Sequence, residues 1–161
     1  MTKRFKNVAV IGAGQMGSGI AQVLASKGFK VFLCDSSIKQ LEKAQTSIHL
    51  SAEKLYLKKK LESQEKEQAK TLINYLPELK SLPEVELIIE AISENSEAKK
   101  KLWKELDSLQ SKDCIFASNT SSISITELAS VTNRAENFIG MHFMNPVPLM
   151  KLVELIPGLQ T

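Results

Sequence analysis

The sequence predicts an α/β fold in which helices cover both faces of a mostly parallel sheet. Short apolar runs that are typical of buried strands alternate along the chain with longer segments of helical periodicity. The first run, Asn7 to Ile11, leads directly into a glycine-rich turn and then into a predicted helix, as the first unit of a doubly wound sheet does. At 161 residues the chain is predicted to form one domain, residues 1–161.

The turn after the first strand carries glycines at an informative spacing. Residues 12–17 read GAGQMG and match the pattern G-x-G-x-x-G. Gly12 permits the tight turn, Gly14 lets a pyrophosphate approach the backbone, and Gly17 lets the helix pack closely on the strand. The turn therefore predicts a dinucleotide site in a Rossmann-type fold.

The helix that follows supplies further donors to this site. It is predicted from Met16 to Lys27, with Gly28 as its stop. The N–H groups of a first helical turn have no partner within the helix, and those of Gln15 and Met16 would bind the pyrophosphate.

An acidic residue follows the second predicted strand, Lys30 to Cys34. Asp35 stands where a carboxylate accepts hydrogen bonds from the adenosine ribose, and its charge would repel the 2′-phosphate of NADP. The sequence therefore predicts NAD as the cofactor. The alternative is a glycine-rich turn of another α/β protein, in which Asp35 caps the segment that follows.

A helix–turn–helix excursion follows the second strand. Its periodicity predicts one helix from Ser37 to about Leu61 and a second that begins with Ser63 as its cap and reaches Ile73. The segment from Tyr56 to Lys70 is strongly charged, so we expect it to project from the domain rather than pack on the sheet.

The remaining elements continue the alternation. Strands are predicted at residues 85–91, 114–118 and 137–141, a helix over residues 98–109, and a short helix with a capping box formed by Ser124 and Glu127. Ligands of an open α/β sheet bind outside the carboxyl ends of its strands. This rule selects residues 12–17, Asp35, residues 91–95, residues 119–122 and His142.

The segment from Gly140 to Glu154 sets His142 between predicted strands and ends on a carboxylate. Histidine titrates near neutral pH, and a neighbouring carboxylate fixes its tautomer and stabilises the imidazolium that proton abstraction forms. The segment therefore suggests acid–base chemistry at His142. The alternative is a hydrogen-bonded histidine at a strand end, with Ser121 and Asn145 as ordinary turn residues.

Composition excludes several classes of function. A net charge of +3, with no aromatic residues interleaved in the lysine run of residues 58–60, does not favour nucleic acid. No window reaches the ~20 apolar residues of a membrane span. Cys34 and Cys114 lack metal or redox spacing. We therefore expect a soluble, cytoplasmic protein with buried thiols and no metal site.

The chain resembles the NAD-binding domain of the L-3-hydroxyacyl-CoA dehydrogenases, a family that includes the 3-hydroxybutyryl-CoA dehydrogenases. The resemblance lies in the glycine turn and in residues 90–95 (EAISEN), 118–122 (SNTSS) and 140–154, and it covers essentially the whole chain. It implies NAD-dependent oxidation of an L-3-hydroxyacyl-CoA to a 3-oxoacyl-CoA, or the reverse, in fatty-acid and butanoate metabolism.

The resemblance also implies catalytic roles for single residues. His142 matches the family's catalytic base, and Glu154 matches the carboxylate that pairs with it. Ser121 and Asn145 match polar residues that contact the substrate oxygen and surround the reacting centre.

Further positions match the cofactor site of the family. Glu94 and Lys99 match positions near the nicotinamide half, and Asp35 matches the acid that binds the ribose. The sequence departs from the family at Met144, usually a second phenylalanine, and at Ser93, usually an aliphatic residue. Both changes leave the polar roles intact.

Family members continue into a helical C-terminal domain that completes the acyl-CoA pocket and forms the interface of a homodimer. This domain is absent from the 161 residues, which are either a fragment of a longer enzyme or a short paralogue. A Rossmann dehydrogenase of the 2-hydroxyacid or β-hydroxyacid type has no reason to carry Ser121 together with His142 and Glu154. From a different class, an NAD(H)-binding module without catalysis stays open as an alternative.

Overall fold

Strands and helices alternate along the chain, as the sequence predicts. The computed structural model describes residues 5–161, and its strands are β1 (Asn7–Ile11), β2 (Lys30–Cys34), β3 (Ile73–Leu76), β4 (Leu87–Glu90), β5 (Ile115–Ser118), β6 (Phe138–Phe143) and β7 (Val153–Pro157). The helices are α1 (Gln15–Ser26), α2 (Ile38–Leu57), α3 (Ser63–Thr71), α4 (Ser96–Leu109) and α5 (Ile125–Ala129), with 3₁₀ turns at Leu79–Ser81 and Ala135–Asn137.

The strands of residues 5–161 form one seven-stranded sheet in the order β3-β2-β1-β4-β5-β6-β7. β1 to β6 are parallel, and β7 runs antiparallel to β6. The strand order reverses at β1, which is the point at which such sheets bind ligands. The predicted Rossmann-type, doubly wound fold is confirmed, with β3 as an edge strand that the sequence patterns do not predict.

Both faces of the sheet are buried. Val8 and Val10 of β1 share an apolar cluster with residues of α1 and α2, whereas Ala9 and Ile11 share one with residues of α4 and α5. Successive side chains of a strand point to opposite faces. The continuous apolar run of β1 therefore follows from helices on both sides of the sheet.

The first two helices begin close to their predicted positions, but α2 ends at Leu57 and not at about Leu61, because the chain turns at Lys59, whose φ is +55°. α1 runs into Gly28, whose φ of +89° is the left-handed conformation that stops a helix. α2 begins after Ser37, whose hydroxyl oxygen accepts the N–H of Gln40 at 3.2 Å.

The charged end of the excursion does not project from the domain, so that prediction is wrong. α3 packs against α1, where Ala69 is fully buried and Lys27 pairs with Glu65. The cap is also not Ser63. Glu62 and Glu65 form a capping box in which the Glu65 carboxylate accepts the Glu62 N–H at 2.9 Å. Ion pairs to α1 and α2 neutralise the charges that suggested a free helix.

The short helix α5 has half of its predicted capping box. The Ser124 hydroxyl accepts the Glu127 N–H at 3.3 Å. The Glu127 carboxylate does not reach back to Ser124, because it pairs with Lys100 of α4 and accepts a bond from Ser96. The carboxylate thus ties two helices together in place of closing the box.

Candidate active site

The glycine turn between β1 and α1 is shaped by close backbone contacts. Gly12 has φ of +101°, and a Cβ there would lie 2.6 Å from the carbonyl oxygen of Ala91. A Cβ on Gly17 would lie 1.7 Å from the carbonyl oxygen of Gly12. A Cβ on Gly14 would meet nothing within 4 Å. Two of the glycines are therefore required by the fold, and the third leaves open space above the turn.

The N-terminus of α1 faces this open space without a protein anion. Gly14 is its N-cap and supplies no side-chain acceptor, and the first turn contains no acidic residue. The N–H groups of Gln15 and Met16 have no acceptor within the helix. The geometry suits an incoming phosphate group, which these donors and the helix dipole would stabilise.

Asp35 closes the other side of the turn. Its two carboxylate oxygens accept the N–H groups of Ala13 and Ser37, each at 2.9 Å, which holds the carboxylate beside the glycine turn. A pocket of about 220 Å³ adjoins it. Its apolar wall consists of Ile11, Pro77, Leu79, Ile92 and Leu102. A carboxylate at the mouth of an apolar pocket suits the ribose and the flat base of a nucleoside.

His142 and Glu154 are direct neighbours across the antiparallel pair of β6 and β7. Nδ1 of His142 lies 2.9 Å from Oε2 of Glu154. The histidine side chain is 24% exposed and the glutamate side chain 51%. His142 lies within β6 and not after a strand, which corrects its predicted position. With Nδ1 held by the carboxylate, Nε2 is the ring atom left for proton transfer.

Asn119 fixes the end of β6 that carries the histidine. Its side-chain oxygen accepts the N–H of Phe143 at 2.8 Å, and its own N–H donates to the Glu90 carbonyl oxygen at 2.8 Å. The sequence patterns place Asn119 among the residues after a strand but assign it no role. Its partner is 24 residues away, so no local signal points to it.

The loop after β6 lies against α1. Nε2 of Gln15 donates to the side-chain oxygen of Asn145 at 3.3 Å. Gly19 allows close packing, because a Cβ there would lie 2.9 Å from Cβ of Val147. The peptide bond between Asn145 and Pro146 is cis. Asn145 is therefore next to the first residue of α1, beside the glycine turn.

Glu94 organises the loop that contains Ser121. Its Oε1 accepts the Thr120 hydroxyl and the N–H groups of Ser121 at 3.1 Å and Ser122 at 3.3 Å. Burial would raise the pKa of Glu94, but the Thr120 hydrogen bond and the charge of Lys99 outweigh it and lower the pKa to about 2. The carboxylate is therefore ionised throughout the neutral range, and it positions Ser121 at the surface.

Lys99 lies behind Glu94 in the interior. Its side chain is 1% exposed, and Nζ lies 2.6 Å from Oε1 of Glu90 and 3.2 Å from Oε2 of Glu94. Glu90 is fully buried and also accepts the Ile92 N–H at 2.8 Å and the Ser118 hydroxyl at 2.6 Å. The sequence patterns assign no role to Glu90. A glutamate that ends an apolar strand is the signal that could have identified it.

A cleft of about 400 Å³ lies between α1, α2 and the loop after β6. It shares Gln15 and Asn145 with the sites above and has Lys43 of α2 on its wall. Gln22, another wall residue, has a buried amide nitrogen with no hydrogen-bond partner among residues 5–161. The cleft thus opens beside the glycine turn, and its wall contains both a charged and a polar side chain.

A family model described as the NAD-binding domain of 3-hydroxyacyl-CoA dehydrogenase matches residues 7–161. The chain belongs to this family. The cofactor predicted from the glycine turn and Asp35 is confirmed as NAD by that description. The open space over Gly14, the donors of α1 and the apolar pocket beside Asp35 fit such a dinucleotide.

Relatives of the 3-hydroxyacyl-CoA dehydrogenase family match the whole chain. It is 46% identical over 161 residues to a 3-hydroxybutyryl-CoA dehydrogenase of Bradyrhizobium diazoefficiens, covering all of this chain and 55% of that protein. A crystal structure of (S)-3-hydroxybutyryl-CoA dehydrogenase from Ralstonia eutropha superimposes with a TM-score of 0.93 and 45% identity, covering 98% of this chain and 56% of that one. The Escherichia coli 3-hydroxybutyryl-CoA dehydrogenase gives a TM-score of 0.94 at 39% identity, covering 99% of this chain and 34% of that one.

The chain spans about half the length of relatives such as the Bradyrhizobium and human proteins, 55% and 50% respectively. None of the helices formed by residues 5–161 has the length and apolar character needed to cross a bilayer.

Proposed function

We propose that this chain is the cofactor-binding part of an enzyme that oxidises an L-3-hydroxyacyl-CoA, such as 3-hydroxybutyryl-CoA, to the 3-oxoacyl-CoA with NAD, or catalyses the reverse reaction. The observation that carries the proposal is the His142–Glu154 pair, which lies on the same sheet as the glycine turn. A single histidine is common in proteins, but here the loop after His142 is joined to the glycine turn by the hydrogen bond between Gln15 and Asn145. The proposed base and the proposed cofactor site therefore belong to one continuous site.

The glycine turn, Gln15, Met16 and Asp35 would hold the pyrophosphate and the adenosine ribose of NAD, and Glu94 would lie toward its nicotinamide half. When bound, NAD supplies an acceptor or donor of hydride, which is chemistry that no side chain provides. The carboxylate of Asp35 would disfavour the 2′-phosphate of NADP.

In the oxidation direction His142 would take the proton of the C3 hydroxyl on Nε2. Glu154, 2.9 Å from Nδ1, would stabilise the imidazolium that results. Ser121 and Asn145 would orient the substrate oxygen, because both lie in loops at the edge of the sheet that His142 faces. A positioned general base contributes about 10²–10⁴-fold to the rate. The remaining rate enhancement would come from holding C3 of the substrate in place.

The cleft between α1 and α2 is the proposed site for the acyl-CoA. It borders the glycine turn and Asn145, which lies in the loop after the strand that carries His142. Lys43 would attract the phosphates of the CoA, and the unpaired amide of Gln22 is suited to a polar group of the ligand.

We also propose that a helical C-terminal domain completes the acyl-CoA pocket and forms a homodimer. Large apolar side chains are exposed on and around β7. These side chains are Leu149, Met150, Leu152, Val153, Leu155, Ile156 and Leu159. A patch of this size on a lone domain is unusual and is typical of a covered surface.

We propose a cytoplasmic location, for which Cys34 is the support. Cys34 is buried and forms no disulfide with any residue of the range 5–161. Burial, followed by the charge of Asp35, raises the pKa of the Cys34 thiol to about 11. A thiol that stays protonated is inert and suits a reducing compartment.

A second candidate applies to the 161 residues by themselves: an NAD(H)-binding module without turnover. It is favoured because the contacts proposed for the cofactor lie within residues 12–99, whereas the strand that carries Glu154 is exposed. Misplacement of a substrate by ~1 Å can cost about 10²-fold in rate. A chain without its substrate domain would therefore bind NADH but turn over little.

The deciding experiment compares the 161-residue chain with a longer chain that includes the downstream sequence. Both are assayed for NADH binding by fluorescence and for NADH oxidation with acetoacetyl-CoA by absorbance. We expect binding by both and oxidation by the longer chain alone. Equal rates would show that this domain is a competent dehydrogenase without a partner domain. Absence of oxidation by the longer chain would contradict the proposed activity.

A further inference from the structure

We propose that Glu94 favours binding of the oxidised form of the cofactor over the reduced form, and that the buried pair of Lys99 and Glu90 behind it sets the strength of this effect. The inference rests on the function proposed above. It assigns a role to three charges that the proton transfer between substrate and His142 does not use.

The three charged side chains lie between the glycine turn and the histidine. β4 pairs with β1, and Ala91 at its end is the residue that Gly12 approaches. Glu94 follows β4 and binds the loop after β5, and His142 is on β6, the next strand. A dinucleotide with its pyrophosphate on α1 and its adenosine ribose at Asp35 must therefore extend its other end over β4 and β5 to reach His142.

The position of Lys99 is set by Glu90 and not by solvent. The Glu90 carboxylate accepts bonds from the Lys99 ammonium, the Ile92 N–H and the Ser118 hydroxyl, so both of its oxygens are satisfied inside the protein. A buried cation is stable only beside a carboxylate. Lys99 has two such partners, because its Nζ also lies 3.2 Å from Oε2 of Glu94.

The charges of this cluster do not cancel. Two carboxylates, Glu90 and Glu94, and one ammonium, Lys99, leave one negative charge. The exposed member is Glu94, whose side chain is 38% exposed, whereas the other two are buried. Its hydrogen bonds from Thr120 and Ser121 fix the carboxylate in place. The site therefore presents a stationary anion to the crevice.

An anion at this point distinguishes the two forms of the cofactor. The nicotinamide ring carries a positive charge when it is oxidised and no charge when it is reduced. Attraction between opposite charges is screened by water, and the partial exposure of Glu94 reduces this screening without removing it. Glu94 therefore stabilises the bound oxidised form selectively. The positive charge of Lys99 offsets part of the negative charge of Glu94. The negative charge of Glu90 in turn offsets part of the positive charge of Lys99.

The test measures dissociation constants of NAD⁺ and NADH by calorimetry on the full-length protein. Glu94→Gln removes the anion and should raise the ratio Kd(NAD⁺)/Kd(NADH) about tenfold. Glu90→Gln leaves Lys99 to neutralise Glu94, so it should raise the ratio in the same direction, about threefold. Combining Glu90→Gln with Lys99→Met returns the net charge to minus one and should bring the ratio back to within about twofold of the unchanged protein.

The matched control is Glu136→Gln, which removes an exposed carboxylate at the opposite end of β6 and should leave the ratio unchanged. A purely structural role for the cluster would weaken both cofactors equally, and an unchanged ratio in Glu94→Gln would overturn the inference while leaving the proposed function intact. Glu94→Gln decides the matter even where Glu90→Gln fails to fold, because Glu94 is at the surface. If the unchanged protein bound neither cofactor, the proposed function would fall together with the inference.

Discussion

The two ends of the candidate site are built by different means. At β1 the site is a backbone shape: residues 8–11 are buried, and Gly12 and Gly17 are required by contacts with main-chain atoms. At β6 and β7 the site is a pair of side chains, His142 on the partly buried β6 and Glu154 on β7, whose five residues are all exposed. Residues of this domain complete the first region. The second region is exposed to solvent at β7.

This difference separates the proposed cofactor site from the proposed catalytic pair within one chain. A site made of backbone and helix N–H groups needs only that the strand and helix fold correctly. A dyad made of side chains on an exposed strand needs a cover that excludes water and positions the substrate. The cofactor half should therefore behave as an independent unit, whereas the catalytic half should depend on what covers β7.

The largest effect is expected at the catalytic half. His142→Gln in the full-length enzyme should lower kcat by about 10²–10⁴-fold, because it removes the proposed base. The affinity for NADH should change little, since the cofactor contacts lie elsewhere. Steady-state kinetics with acetoacetyl-CoA and NADH titration check both expectations.

The other histidine provides the control for this change. His49→Gln, on α2, should leave kcat near that of the unchanged enzyme. Glu154→Gln should lower kcat less than His142→Gln does, because the base is retained and only its partner is weakened. Near-normal turnover by the His142 variant would refute the assignment of the base.

The cofactor half offers a sharper contrast between two glycines. Gly17→Ala should lower the free energy of unfolding by about 1–3 kcal/mol or more, because its Cβ would lie 1.7 Å from the Gly12 carbonyl oxygen. Gly14→Ala should fold normally, since nothing lies within 4 Å of the added Cβ. It should nevertheless weaken NADH binding about tenfold by filling the space for the pyrophosphate.

Chemical denaturation and NADH titration of the two variants test this contrast. If Gly14→Ala bound NADH as well as the unchanged chain, the open space over the turn would not be the pyrophosphate site. If Gly17→Ala were fully stable, the turn would have to relax in a way that the close contact with Gly12 does not suggest.

A smaller change is expected at Asp35. Asp35→Ala should narrow the preference for NADH over NADPH by about tenfold, because the charge that repels the 2′-phosphate is lost. The carboxylate also accepts the N–H groups of Ala13 and Ser37, so part of the effect on affinity would be structural. Asp35→Asn retains an acceptor without the charge and isolates the electrostatic part. Equal affinities of the unchanged chain for NADH and NADPH would count decisively against this role.

The smallest effect concerns stability toward acid. The pKa of Glu94 is lowered from 4.5 to about 2 in the folded chain. A carboxylate with a lowered pKa stabilises the fold above its unfolded pKa, and this contribution is lost as the pH falls through the folded pKa. The free energy of unfolding should therefore decrease between pH 4.5 and 2, and less steeply in Glu94→Gln. Partial exposure keeps the difference small.

Denaturation at a series of pH values measures this slope. Identical slopes for the unchanged chain and Glu94→Gln would mean that the hydrogen bonds to Thr120 and Ser121 do not persist in solution.

The sequence predicts the features that depend on neighbouring residues. The glycine turn, Asp35 at the end of β2 and the helix stop at Gly28 are each encoded within a few positions, and the structure places all of them as expected. The roles of these residues in binding remain predictions, as do those of Ser121, Asn145 and Lys99.

The features that sequence patterns do not reveal depend on distant partners. β3 is a four-residue edge strand that is recognisable only by its pairing with β2. The role of Glu90 depends on its hydrogen bonds with Lys99 and Ser118. The charges of α3 suggest a free helix only until their partners on α1 and α2 are known. In each case the physical reason lies in a contact that composition and periodicity do not encode.

Because β6 and β7 are joined by main-chain pairing, the connection at residues 149–152 is a place where evolution can insert or delete residues without separating His142 from Glu154. A slip of the strands by one residue is a different matter. It would put Val153 or Leu155 opposite the histidine and turn the carboxylate to the other face. Changes in the length of the connection are thus expected to disturb the His142–Glu154 pair less than a change in the register of the two strands does.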